Sequence, residues 1–256
     1  MPMRPEPPRR RFPRNAAIAL LWLGIWAGAA ALVGQQLLLP SPRAAAKALY
    51  ALAAQGDFWL SCCRSLGRIF IGYALGILLG CGLAVLTFRY AWWRDFFTPL
   101  LSAVKAMPVA SFILLALVWM RTNGVPMFAT VVIVLPMTWT NISEGIAATD
   151  AGLLEMARAF CMPSRSIWRH VYWPSVQPAF RAVVTAGMGM AWKAGVAAEI
   201  ICQPRESLGS VLYRAKIHLD TPALFASTAV VIVLSMALEK LMIRFAYRRE
   251  WGRRDV

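Results

Sequence analysis

Long apolar stretches recur along the chain and are separated by shorter polar or basic segments. A stretch of about 20 mostly apolar residues is long enough to cross the hydrocarbon core of a bilayer as an α-helix. Windows that meet this condition lie at residues 16–34, 66–88, 97–120, 125–141, 179–200 and 222–243. The pattern therefore predicts an all-α, polytopic membrane protein with six transmembrane helices.

The connection between the fourth and fifth windows, residues 143–177, is long and patterned, whereas a link between helices usually needs only a few residues. Apolar side chains recur in it at helical spacing, first at Leu153, Met156, Ala157 and Phe160 and then at Ile167, Trp168 and Val171. This spacing predicts two short amphipathic helices separated at residues 161–163. The segment could rest on the lipid surface as a helical hairpin, or it could be a docking surface for a soluble partner.

Composition supports the membrane prediction. Hydrophobic residues make up 59% of the 256 residues, and 11 residues are tryptophans. Few soluble domains of this size could carry that fraction without exposing large apolar patches. We therefore expect an integral membrane protein in contact with the lipid bilayer.

The chain is strongly basic, with a formal net charge of +15. Such a charge could favour nucleic acid, but Lys and Arg beside membrane spans more often mark cytoplasmic loops. With the N-terminus inside, the basic residues of the cytoplasmic segments are Arg4, Arg9, Arg10, Arg11, Arg14, Arg89, Arg94, Arg158, Arg165, Arg169, Arg244, Arg248, Arg249, Arg253 and Arg254. Fewer would lie outside, namely Arg43, Lys47, Arg64, Arg121, Arg205, Arg214 and Lys216. This distribution predicts that both termini face the cytoplasm and that nucleic acid is not a partner.

The predicted organisation is one membrane domain between two basic tails. Residues 1–15 are rich in Pro and Arg, so we expect a disordered cytoplasmic tail. Residues 16–246 are expected to form the six-helix domain, with the patterned loop at about residues 143–177. Residues 247–256 are expected to form a second basic cytoplasmic tail.

The sequence offers little for catalysis or metal binding. Its five cysteines include no CxxC pair, and its two histidines, His170 and His218, fall in different loops. A phosphate-binding GxxxxGK[ST] loop, an HExxH motif and a GxSxG motif are all absent. We therefore expect no catalytic residue, no metal and no cofactor on this chain, and any driving energy must come from a gradient or a partner. A disulfide between Cys62 and Cys202 on the outer side is permitted but not indicated.

Prolines interrupt several predicted spans, and two lysines lie in or near them. The prolines are Pro99, Pro108, Pro136 and Pro178. A proline in a membrane helix frees a backbone carbonyl, which is tolerated where neighbours or water satisfy it. Lysines at that depth are costly unless paired or hydrated. These features favour a hydrated passage with Lys105, Pro108 and Lys193 as candidate lining residues, although Lys193 could instead snorkel or pair within the bundle.

Glu199 lies near the outer end of the fifth window. No companion acidic residue lies in any predicted membrane core, which argues against a proton-carrying role. We interpret Glu199 as a structural or docking carboxylate and retain it as a candidate residue of the passage.

Glycines recur in the second window at intervals of four to five residues, at Gly67, Gly72, Gly76, Gly80 and Gly82. Small residues let helix backbones approach closely. The stripe predicts close packing against another helix, or a helix that slides against its neighbours.

The patterned loop resembles the EAA loop of permease subunits in binding-protein-dependent ABC importers. That motif reads EAA, three residues, Gly, nine residues, Ile, any residue, Leu-Pro. Here Glu155, Met156 and Ala157 stand for EAA, Cys161 replaces the glycine, Val171 stands for the isoleucine, Trp173 replaces the leucine and Pro174 keeps the proline. Segments at residues 65–76, 105–115, 191–200 and 207–209 are similar to the nitrate, sulfonate and taurine branch of these permeases.

The resemblance implies a multi-pass permease of the bacterial inner membrane that pairs with a second copy and carries two ABC ATPase subunits. ATP and Mg²⁺ would bind those partners, and a periplasmic binding protein would deliver a small, anionic solute. The first loop helix would sit in a cleft of the ATPase. The resemblance makes Met156, Ala157 and Phe160 candidates for the coupling contacts, with Glu155 and Arg158 for polar ones.

One departure from the motif concerns the turn after the first loop helix. The motif glycine permits unusual backbone angles, and Cys161 cannot take a positive φ without cost. We therefore expect either that the turn differs here, with Pro163 compensating, or that coupling is altered.

Two other functions compete with the importer permease. A solitary secondary carrier would call for buried acidic residues and paired inverted repeats, and a non-transporting scaffold would need neither a patterned loop nor kinked helices. The sequence shows neither of the carrier's two features, and it has the loop and the kinks that a scaffold would not need.

Overall fold

The structure is a computed structural model that describes residues 11–251, and the surroundings of side chains are described for residues 17–247. Within residues 11–251 the fold is entirely helical, without strands. The helices are α1 (Arg11–Val33), α2 (Pro42–Ala53), α3 (Gly56–Arg89), α4 (Ala91–Ala106), α5 (Val109–Trp119), α6 (Val125–Ala147), α7 (Ala151–Ala159), α8 (Ser164–Ile167), α9 (Trp173–Cys202), α10 (Leu208–Ile217) and α11 (Thr221–Trp251). A π-helical turn, Trp168–Tyr172, joins α8 to α9.

The centre of the fold is a layer in which α6 packs against α3 on one side and against α9 on the other. The approach of α3 to α6 is so close that a Cβ atom added to Gly76 would lie 2.7 Å from Cβ of Val134. An added Cβ at Gly80 would likewise lie 2.6 Å from Cβ of Thr138. Part of the predicted glycine stripe therefore faces α6, whereas Gly67 and Gly82 point into open space.

Two further contacts fasten α9 to its other neighbours. The Tyr73 hydroxyl of α3 donates a hydrogen bond of 2.7 Å to the backbone carbonyl of Val184. The indole N–H of Trp192, which is fully buried, donates to the backbone carbonyl of Val231 in α11 over 3.1 Å. Buried aromatic side chains commonly satisfy their polar atoms in this way.

The third predicted span, residues 97–120, is not one helix. It is broken into α4 and α5, whose axes meet at 108°. Met107 is extended (φ −75°, ψ 130°), because the ring of Pro108 disfavours helical backbone in the residue before it. The sequence predicts a kink at Pro108, and the structure has a complete break of the helix there.

By length and composition, three described helices can cross a membrane: α3, α6 and residues 221–247 of α11. A fourth span results if the bent pair α4 and α5 counts as one. The apolar part of α1, Ala17–Val33, is shorter. The fold is thus a helical membrane protein with three or four apolar spans by these criteria.

Several helices begin or end away from the predicted boundaries. Helix α1 begins at Arg11, so residues 11–15 are helical rather than part of a tail, and α11 continues to Trp251. The rest of the two expected tails, residues 1–10 and 252–256, lies outside the described residues. The short helices α2 and α10 occupy connections for which hydropathy predicts no helix. Each follows a serine, Ser41 and Ser207, whose hydroxyl accepts a hydrogen bond from the first helical turn.

Candidate functional site

The first loop helix is α7, which carries the EAA-like residues. Its start is capped by Asp150, whose carboxylate accepts a hydrogen bond of 3.2 Å from the backbone N–H of Leu153. A side-chain acceptor at this position satisfies a backbone donor that has no partner within the helix. The helix therefore begins at a defined residue and spans nine residues, Ala151–Ala159.

The end of α7 is a tight left-handed turn at Cys161. Its backbone has φ of +49°, and its N–H donates to the Arg158 carbonyl over 2.9 Å. The N–H of Met162 donates to the Ala157 carbonyl over 3.0 Å. These two bonds define the Schellman motif, in which the residue at the left-handed position is usually glycine. The turn keeps the geometry that the motif glycine would give, and Cys161 adopts a left-handed conformation that is sterically unfavourable for a residue with a Cβ.

The side chains of α7 divide between an inner and an outer face. Ala157 is 0% exposed, and Val171 in the π-helical turn is also buried. Met156 is 49% exposed and Phe160 is 76% exposed. Glu155, Arg158 and Leu153 are exposed as well. Helix α7 thus has a buried alanine on the inside and an apolar stripe with flanking charges on the outside.

The second predicted loop helix is not separate from the fifth predicted span. Helix α8 leads through Trp168–Tyr172 into α9, and the Trp173 N–H donates to the Trp168 carbonyl, five residues back. Pro174 has no N–H, and its ring would collide with the carbonyl four residues earlier in a regular α-helix. A wider turn avoids this collision. The motif proline therefore lies, exposed, where the loop becomes a long helix.

Aromatic side chains connect the loop to α3. The ring centroid of Phe88 lies 6.0 Å from that of Trp168 and 5.4 Å from that of Tyr172, both edge-to-face. The Trp168 and Tyr172 centroids are 4.9 Å apart. Edge-to-face pairs at these distances are attractive beyond the burial of their surface. The loop is therefore packed against the end of α3 through these rings.

A cleft opens beside the break between α4 and α5. It has a volume of about 410 Å³ and lies between the break, α6 and Met190 of α9. Lys105 and both residues next to Pro108 line it. The Lys105 ammonium donates a hydrogen bond to the hydroxyl of Thr140 on α6. Of the candidate passage residues, Lys105 thus lines the cleft, and Pro108 lies in the chain between two lining residues, Met107 and Val109.

Lys193 and Glu199 lie elsewhere. Lys193 is exposed in a separate groove between α9 and α11, which is lined by Trp192, Val231 and Ser235 among others. Glu199 is fully buried, and its carboxylate belongs to a network at the end of the bundle opposite the loop. The four candidate passage residues are therefore not brought together in this chain.

The network around Glu199 joins three helices. One carboxylate oxygen accepts a hydrogen bond of 2.6 Å from the Ser65 hydroxyl and another of 3.2 Å from the Gly209 N–H. The other lies 3.1 Å from the Arg68 guanidinium. Ser65 in turn accepts a hydrogen bond from the N–H of Leu208, so the carboxylate faces the N-terminus of α10, where negative charge is favourable.

Sequence reasoning did not identify Ser65, Arg68 or Thr140 as partners. Of these three, only Arg68 could have been recognised from the sequence, since a charge close to the start of an apolar window needs a partner. Arg68 also donates to the backbone carbonyl of Glu206, and Glu206 pairs with Arg64. Ser65 and Thr140 carry no comparable signal, because hydroxyls are ordinary in membrane helices.

The described residues contain no group of three His, Cys, Asp or Glu side chains placed to hold a metal ion. All five cysteines are free thiols, so Cys62 and Cys202 are not bridged.

Comparison with known proteins gives the family. Residues 72–249 match the family described as "binding-protein-dependent transport system inner membrane component". A relative from Brucella melitensis, named "Probable ABC transporter permease protein", is 25% identical over 236 residues, covering 89% of this chain and 96% of its own. The riboflavin transport system permease protein of Chloroflexus aurantiacus is 24% identical over 236 residues, covering 88% and 87%. The taurine transport system permease protein of Escherichia coli is 22% identical over 241 residues, covering 91% and 86%.

A solved structure has the same fold. It is described as an amino acid ABC transporter with histidines, it aligns with a TM-score of 0.59 at 18% identity, and it covers 72% of this chain and 90% of its own. The family match covers more than half of the chain, and it contains both the loop and the cleft. The chain is a membrane-embedded ABC transporter permease and belongs to the family of inner membrane components of binding-protein-dependent transport systems.

Proposed function

We propose that this chain is the permease subunit of an ATP-driven importer in the bacterial inner membrane. In this proposal the chain crosses the membrane six times with both termini in the cytoplasm. It pairs with a second copy or a related permease, and a periplasmic binding protein supplies the solute. ATP and Mg²⁺ bind to two separate ATPase subunits. This chain forms the passage for the solute and does not itself hydrolyse ATP.

The observation that carries the proposal is the two-faced construction of α7. A docking helix must grip a partner on one side and be fixed to the membrane helices on the other. The exposed stripe of Leu153, Met156 and Phe160 suits the first requirement, because exposed apolar patches of this kind mark interaction sites. The buried Ala157, on the inner side of α7, suits the second.

The aromatic contacts supply the next step of the mechanism. When the ATPase pair closes, α7 is displaced, and Trp168 and Tyr172 push on Phe88 at the end of α3. Because α3 packs tightly on α6, the push reaches the centre of the bundle. The passage for the solute is then opened to one side of the membrane and closed to the other.

We propose a small, anionic solute of the sulfonate, taurine or nitrate type. The support is the position of Lys105 in the lining of the cleft, together with the resemblance to that branch of permeases. Relatives are named for solutes as different as taurine and riboflavin, so the family alone leaves the solute open.

Co-purification tests the ATPase partnership. The tagged chain is purified from gently solubilised native membranes, and the accompanying proteins are identified by mass spectrometry. We expect an ABC ATPase with the natural chain and its loss from Glu155→Lys and Phe160→Ser. The matched control is Ile217→Ser, which alters another exposed apolar residue, 54% exposed against 76% for Phe160, at the other end of the bundle. Absence of any ATPase, or equal retention by all variants, would reject the proposal in favour of a solitary carrier or a scaffold.

A further inference from the structure

The cleft beside the α4–α5 break has the composition of a small-molecule site. Such sites usually have volumes of about 300–1,000 Å³ and a mostly apolar lining with a few placed polar groups. This cleft measures about 410 Å³. Among the described residues that line it, Lys105 alone carries a charge.

The polar groups are gathered on one wall. The Lys105 ammonium has three donors, of which one is used by Thr140. Asn141, one residue further along α6, uses one amide N–H on the Met137 carbonyl over 2.8 Å and keeps the other. This wall therefore offers several free N–H donors and a positive charge, which is the chemistry that binds an anionic oxygen group.

The rest of the lining is apolar and includes sulfur-containing and aromatic side chains, notably Met107, Phe112, Met137 and Met190. Methionine side chains are flexible and polarizable, and they adapt to apolar groups of irregular shape. An inorganic anion would contact the polar wall and leave this surface unfilled.

We propose that the cleft is the solute-binding site of this chain and that its ligand is a small organic monoanion with a short apolar body. The anionic group lies against Lys105, Thr140 and Asn141, and the body lies against Met107, Phe112 and Met190. This inference rests on the proposed permease function and narrows it, because it selects an organic anion over an inorganic anion such as nitrate.

Equilibrium dialysis with radiolabelled 1-butanesulfonate tests the site. The sample is the chain purified with its ATPase in lipid nanodiscs, and empty nanodiscs give the background. We expect saturable binding that unlabelled nitrate and the neutral analogue butyl methyl sulfone displace at least about tenfold less well than butanesulfonate. Loss of a charge-assisted hydrogen bond corresponds to about tenfold in affinity or more, so Lys105→Met should weaken binding by that factor.

Two variants keep the result interpretable. Lys105→Arg preserves the charge and should retain binding, and Lys193→Met removes a lysine from the separate groove and should leave binding unchanged. The site is rejected if butanesulfonate does not bind the natural chain, if Lys105→Met binds as tightly as the natural chain, or if Lys193→Met causes the same loss. Since ATPase retention is measured on the same samples, a failure of binding with the ATPase still present overturns the cleft site alone and leaves the proposed permease function in place.

Discussion

Ser65 and Glu199 are 134 residues apart in the sequence, yet the Ser65 hydroxyl donates a hydrogen bond of 2.6 Å to the Glu199 carboxylate. The pair joins α3 to α9 at the end of the bundle opposite the loop. Arg68 approaches the second carboxylate oxygen, and Gly209 places the start of α10 against the first. Glu199 of α9 is thus a buried carboxylate whose partners come from two other helices, α3 and α10.

Glu199→Gln should lower the stability of the folded chain by about 1–3 kcal/mol. The amide keeps the size of the carboxylate, but it leaves the guanidinium of Arg68 without a counter-charge in a mostly buried position. Thermal unfolding followed by tryptophan fluorescence measures the effect. Glu239→Gln removes an exposed carboxylate and should change stability by less than about 0.5 kcal/mol. Equal effects of the two substitutions would show that the network contributes nothing.

Gly80→Ala should destabilise the chain by about 1–3 kcal/mol, the usual cost of overpacking. The new methyl group would lie 2.6 Å from Cβ of Thr138 and 2.8 Å from the Leu135 carbonyl, so α3 and α6 would have to separate. Gly82→Ala adds the same group to the same helix, where it would meet no atom of another helix within 4 Å. A comparison of thermal midpoints in one detergent decides the question, and a Gly82 variant that is as unstable as the Gly80 variant would contradict the packing explanation.

Cys161→Gly should stabilise the end of α7 by about 1 kcal/mol, because glycine adopts the left-handed conformation without the steric cost that a Cβ brings. Hydrogen exchange of the backbone N–H groups of Cys161 and Met162, which form the Schellman bonds, should slow accordingly. Cys161→Ala keeps the Cβ and should exchange like the natural chain. Slower exchange in the alanine variant would attribute the effect to loss of the thiol instead.

Phe88→Ala should separate ATPase binding from transport. It removes the ring that Trp168 and Tyr172 contact but leaves α7 untouched, so the ATPase should remain bound while solute-stimulated ATP hydrolysis falls several-fold. Phe70→Ala is the matched control, since Phe70 lies on the same helix with similar exposure, 47% against 45%, and is not among the rings that contact the loop. Equal stimulation in the Phe88 variant would exclude this route of transmission.

The sequence predicted the helical membrane class and the break in the patterned loop, because both depend on local periodicity. The loop break lies between Ala159 and Ser164, around the predicted residues 161–163. The replacement of the motif glycine was also visible, but the response of the backbone was not. Cys161 keeps the left-handed turn because two backbone hydrogen bonds depend on it, and such bonds can be seen only in three dimensions.

Other features depend on contacts between distant parts of the chain. Hydropathy averages over Met107 and Pro108, which are both compatible with a membrane span, so it could not distinguish a kinked helix from a bend of 108°. Glu199 could be recognised as a carboxylate that needs partners, but Ser65 and Arg68 become its partners only when α3 packs against α9. The hydrogen bond from Lys105 to Thr140 similarly joins α4 to α6.

The close packing of α3 on α6 has a mechanical consequence. Two helices that touch through their backbones cannot slide past each other unless they first move apart, so they act as one rigid body. We therefore expect relative motion within the chain where the helical hydrogen bonding is already interrupted, at Met107 and Pro108. The cleft borders this break, so a change in the angle between α4 and α5 would alter the width of the cleft and its contacts with a bound solute.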